Sequence, residues 1–102
     1  MKITNANIRD FAKNVKSCYS DEKIDFINDL PNSIQMSFIS GLNFCCGDFK
    51  DAIYQTFVSL MHDFDNDMNM FLPLLYVSYL DRHNYLDAKM HEIILSYTLN
   101  YT

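Results

Sequence analysis

FKDAIYQTFVSLMHD, residues 49–63, is the stretch that decides the fold class. Phe49, Ile53, Phe57, Leu60, Met61 and Phe64 recur at the three- and four-residue intervals of one helix face. Tyr54 and Val58 widen that stripe, which predicts contacts on more than one side. Asp48 stands just before it as an N-cap.

Downstream, the polar stretch 63–69 reads as a connection. Residues 70–82 follow and are apolar almost all round: Phe71, Leu72, Leu74, Leu75, Tyr76, Val77, Tyr79 and Leu80. A helix apolar on every side is expected at the centre of a domain. Pro73 fits such a helix only in its first turn, where a missing N–H costs least. Asn84 is the expected cap of a last helix, about 85–100. Its stripe is Leu86, Met90, Ile93, Ile94, Tyr97 and Tyr101.

Upstream, Ile34, Phe38, Leu42 and Cys45 line one face of a helix over 33–45, capped by Asn32 or Ser33. Gly41 weakens that helix by up to ~1 kcal/mol, so close helix packing is the expected reason for it. Gly47 supplies the stop. Ser20 caps a shorter helix with Asp21 and Glu22 in the first turn, where the helix dipole favours anions. Pro31 ends it, because the residue before a proline is pushed out of the helical region. Ile8, Phe11, Ala12 and Val15 predict a first helix over 5–18, with Arg9, Lys13 and Lys16 on its wet side. The expectation is an all-α, compact, single-domain bundle over residues 1–102. It has five to six short helices around a central apolar helix at about 70–82.

Composition agrees with this reading. Hydrophobic residues make up 49% of the 102 and charged residues 21%, the range of folded domains. Two glycines and two prolines are too few for the frequent turns of an all-β fold. No apolar run approaches the ~20 residues that span a bilayer as a helix, so no membrane role is expected. No secretory signal is seen at residues 1–7, and Cys18, Cys45 and Cys46 are odd in number. Free thiols in a reducing, cytoplasmic compartment are the simplest expectation.

The net charge of −5 is unevenly placed. Lys2, Arg9, Lys13 and Lys16 oppose only Asp10 before residue 20. Beyond it, acids far outnumber Lys23, Lys50, Arg82 and Lys89. Phosphate recognition needs clustered Lys and Arg, so direct nucleic-acid binding is disfavoured. An acidic body suits a basic protein partner instead.

Three local patterns bear on chemistry. Asp63, Asp65 and Asp67 alternate as in the start of a calcium loop. Met68 stands where that loop needs glycine and Leu74 where it needs glutamate, so a capping loop is the simpler reading. His83, Asp87 and His91 are spaced four apart and would line up on one helix as metal ligands. Asn84 as a helix start leaves His83 outside, which favours ordinary surface residues. Cys45 reads as core and Cys46 as partly exposed, with no base nearby in sequence. No catalytic motif is present, and the chain is not expected to be an enzyme or to carry a cofactor.

The aromatic content points towards contact surfaces. Tyr76, Tyr79, Tyr85, Tyr97 and Tyr101 crowd the C-terminal part, either as an interface or as a roof over the core with wet hydroxyls. In size, acidity and predicted helicity the chain resembles immunity proteins that neutralise bacterial toxins. It is similar in the same respects to small viral or phage inhibitors of host factors, DNA mimics among them. That resemblance implies an inhibitor that covers the cationic site of a toxin or nucleic-acid-acting enzyme. The residues expected to meet such a partner are Asp48, Asp51, Asp63, Asp65, Asp67 and Asp81, with Tyr54 and Tyr85 among them. Two alternatives remain. One is a self-associating homo-oligomeric module using excess apolar surface on 49–63 and 85–100. The other is a metal-binding sensor or enzyme built on the Asp63 or His83 pattern.

Overall fold

The computed structural model describes residues 19–67 and 71–99, with backbone alone for 63–67 and Thr98. The helix expected over 5–18, and the side chains of Asp63, Asp65 and Asp67, lie outside the described residues. The described chain forms helices α1 (Asp21–Asp29), α2 (Asn32–Phe44), α3 (Phe49–Asp67), α4 (Phe71–Arg82) and α5 (Ala88–Thr98), without strands. The all-α bundle expected from periodicity is present.

Helix α3 is the element that α2, α4 and α5 all pack against, while α1 packs on α2. The broad stripe explains this. Phe49, Ile53, Phe57, Leu60 and Met61 are buried along it, and Ala52 and Thr56 are buried beside it against α2. Segment 71–82, expected at the centre, lies instead on the flank. Its narrow row of Pro73, Tyr76 and Leu80 is buried, while Phe71 and Leu74 are 64% and 58% exposed. Uniform hydrophobicity specifies no face, so the row at helical spacing decides which residues turn inward.

Gly41 lies where α2 meets α3. A Cβ there would sit 3.2 Å from Thr56 Oγ1, which itself donates to the Ala52 carbonyl at 2.6 Å. Close helix approach is therefore the reason for this glycine. Buried polar groups tie the remaining elements together. Gln35 Nε2 donates to the Ile27 carbonyl at 2.8 Å, and the Tyr76 hydroxyl donates to the Ile53 carbonyl at 2.8 Å.

Helix ends follow the caps only in part. Ser20 accepts from Lys23 N and Asp48 from Asp51 N, as expected. Leu30 adopts an extended backbone before Pro31. For α2, however, the cap position is Pro31, with no side-chain bond from Asn32 or Ser33. The polar stretch 63–67 continues α3 rather than turning. It contains no glycine or proline, so nothing breaks the established hydrogen-bond ladder. Asn84 caps no helix start: α5 is capped by Asp87. With φ at 62°, Asn84 closes α4, as Asn84 N donates to the Asp81 carbonyl and Tyr85 N to the Leu80 carbonyl. This is the Schellman arrangement, in which Asn is the usual substitute for glycine.

Helix α2 closes the same way. Cys46 N donates to the Asn43 carbonyl and Gly47 N to the Leu42 carbonyl. Here two residues in succession are left-handed, Cys46 with φ at 54° and the expected stop Gly47 with φ at 85°. A Cβ in that region is strained and glycine is not. Cys46→Gly should therefore stabilise the fold by about 0.5–1 kcal/mol, partly offset by the freer unfolded chain. A urea midpoint that falls rather than rises would contradict this account of the turn.

Candidate functional site

Asp87 organises the site. As the N-cap of α5 its Oδ1 accepts from Met90 N at 2.8 Å. Its Oδ2 accepts from the Tyr54 hydroxyl at 2.7 Å and lies 3.7 Å from Lys50 Nζ. The Met90 N–H foremost, then the Tyr54 hydroxyl and the Lys50 charge, hold this carboxyl below its ordinary range. Tyr54 responds in the opposite sense. Burial first, and the Asp87 carboxylate next, push its phenol up to about 12. Lys89 Nζ stands 4.5 Å from the centre of the Tyr54 ring. Tyr54 is thus a buried tie between α3 and α5.

Tyr85 is half-buried and packs edge-on against Phe26, with ring centres 4.9 Å apart. Phe49 lies 5.5 Å from it. The α4-closing turn delivers Tyr85 to this place. Burial and then the Glu22 charge raise its phenol.

Two hollows flank Tyr85. The first, of about 370 Å³, has an apolar floor of Phe49, Ile53 and Tyr85, with Lys23, Lys50 and Asp87 at its mouth. The second, of about 410 Å³, is lined by Glu22, Asp25, Arg82 and His83. In its neighbourhood Asp29 Oδ2 takes Arg82 at 3.1 Å and His83 Nε2 at 2.9 Å. His83 foremost and Arg82 next hold the Asp29 carboxyl low.

The expected contact residues are only partly brought together. Asp48 and Asp51 stand exposed at the start of α3 and raise both Tyr54 and Cys45 electrostatically. Tyr54 and Tyr85 line the first hollow. Asp81 is exposed in the last turn of α4 and lines neither hollow. Glu22, Asp25 and Lys50 were not singled out by motif. The signal for the first two was their three-residue spacing on α1, with Glu22 one turn before Phe26 on the same face.

The structure also bears on the chemical patterns. Cys45 is only partly buried rather than core, and Cys46 is exposed. Burial and then the Asp51 and Asp48 charges push the Cys45 thiol up, which disfavours the nucleophilic thiolate. His83 and Asp87 are drawn to different partners, Asp29 and Tyr54. Among the described residues, no three His, Cys, Asp or Glu side chains converge to hold a metal. No described helix is long and apolar enough to cross a membrane. No family model, curated protein or solved structure matches this chain.

Proposed function

We propose that this chain is a helical protein-interaction module that covers a basic partner, most simply as an inhibitor of that partner. One observation carries the reading. Every described Lys and Arg is engaged within the molecule: Lys50 with Asp87, Arg82 with Asp29, Lys23 over Phe49 and Lys89 over Tyr54. By contrast Asp21, Glu22, Asp25, Asp48, Asp51, Asp81 and Glu92 stand exposed with no ion pair among the described residues. Uncompensated carboxylates give a negative field that steers a cationic surface towards it.

The hollow beside Tyr85 supports the same reading. It offers an aromatic floor for one apolar anchor, with Lys23, Lys50 and Asp87 at its mouth, while Glu22 lines the neighbouring hollow. A central apolar anchor inside a charged rim is the common plan of a protein interface.

The test is capture from the source cell with the immobilised full chain, followed by measured binding of the captured protein. A basic protein is expected, bound less well as salt rises. Glu22→Lys with Asp51→Lys should slow association about tenfold or more while leaving the helical spectrum intact. Capture of an acidic protein, or of nucleic acid alone, would sink the proposal.

A further inference from the structure

Helix α2, NSIQMSFISGLNF, contains no charged residue, and neither does the stretch 52–61 of α3 packed beside it. In a chain of net charge −5 this leaves a face that is electrically neutral among the described residues. On it Met36, Ser40 and Phe44 follow one another at four-residue spacing and are all exposed, with Met36 at 55% and Phe44 at 76%. The row walls a hollow of about 400 Å³, which Ser37, Gly41, Gln55 and Ser59 complete. A protruding ring and a recess thus occupy the same patch.

We infer that this face is a two-fold self-association surface, occupied by the α2–α3 face of a second copy of this chain. Three arguments select that occupant. First, two acidic copies repel wherever their carboxylates meet, and the neutral face is where they approach at least electrostatic cost. A basic partner would gain nothing there from charge. Second, an isologous interface requires one patch to be complementary to itself, and this patch carries both knob and hole. Third, the row with four-residue spacing is the ridge that interdigitates when two helices cross at about −50°. Ser40, small and central in the row, then lies near the axis and permits close approach. Phe44 of each copy enters the recess beside Met36 of the other. This is a different surface from the one proposed for the basic partner, so either can fail alone. It also differs from segments 49–63 and 85–100 taken as a whole, the sequence-level expectation for self-association.

Sedimentation equilibrium of the full chain tests it. Wild type should show a monomer–dimer equilibrium with a Kd in roughly the micromolar range. Phe44→Glu and Met36→Lys should each weaken it by at least about thirtyfold, the effect of losing one interface hot spot. Both sites are exposed, so the helical spectrum and melting temperature should stay near those of wild type. The geometry makes a sharper demand. Mixing Phe44→Glu with Met36→Lys should restore dimers, because the new glutamate of one copy meets the new lysine of the other. A wild type that stays monomeric to millimolar concentration would overturn the inference. So would variants that dimerise as wild type does, or a mixture that remains monomeric.

Discussion

Phe26→Ala should lower the unfolding free energy by about 3–5 kcal/mol, the range for truncating a fully buried Phe. Phe26 has no exposed surface. Its ring meets Phe38 of α2, Phe49 of α3, and His83 and Tyr85 of the α4–α5 connection, with centres 4.9 to 5.8 Å apart and interplanar angles of 69° to 80°. These edge-on contacts add to simple burial. One side chain therefore joins α1 to three other parts of the fold. A domain of this size is stable by only about 5–15 kcal/mol, so the loss is a large share of the whole. Guanidinium unfolding followed by circular dichroism measures it. A change under about 1 kcal/mol would mean that the aromatic cluster does not hold α1 in place. Because Phe26 supports Tyr85, the same variant should also bind the proposed basic partner less well than its folded fraction accounts for.

The second large effect is alkaline. Between pH 10 and 12 the protein should lose stability steeply. Tyr54 is pushed up to about 12, by burial first and Asp87 second, and the deeply buried Tyr76 is raised further by burial alone. In the unfolded chain both titrate near 10. The folded protein thus keeps protons that the unfolded chain releases. The stabilisation is fully present below pH 10 and is lost as pH rises towards the folded values. Each such tyrosine contributes a slope of about 1.4 kcal/mol per pH unit in that window. Tyr76→Phe separates its share. At neutral pH it should cost about 0.5–1.5 kcal/mol, for the hydrogen bond to Ile53. Above pH 10 the variant should lose stability less steeply than wild type. Equal slopes in the two proteins would refute the buried, neutral Tyr76. At the acid end the sign reverses. Asp29 and Asp87 are held low in the fold, so their smaller stabilisation is present above the unfolded carboxylate range and disappears as pH falls through the folded values.

The parts of this molecule that were legible in sequence are those set by near neighbours. The α3 stripe from Phe49 to Met61, the Ser20 and Asp48 caps, the stop before Pro31 and the packing role of Gly41 all depend on contacts of a few residues, or on one steric fact. Where two local readings compete, neighbours are not enough. Asn84 suits either a helix start or a left-handed helix end, and only the bonds to Leu80 and Asp81 select the second. The site was less legible than the fold. Asp48 and Asp51 were visible as exposed acids beside Tyr54. Glu22 and Tyr85 are far apart in the chain and come together only through Phe26.

The amino-acid sequence by itself determined an all-α bundle, an acidic body and the absence of a recognisable catalytic motif. Periodicity, net charge and motif spacing are properties of the chain before it folds. Tertiary structure decided which helix is central. Segment 71–82 carries more apolar residues than any one contact face uses. The broader stripe of α3 meets three neighbours at once, and burial follows the number of partners rather than hydrophobicity alone. Tertiary structure also decided which charges are compensated. Asp29 with Arg82, and Lys50 with Asp87, are pairings across the fold, and among the described residues they leave the outer carboxylates of α1 and α3 without an ion pair. That pattern, rather than the total charge, is what recommends a basic partner.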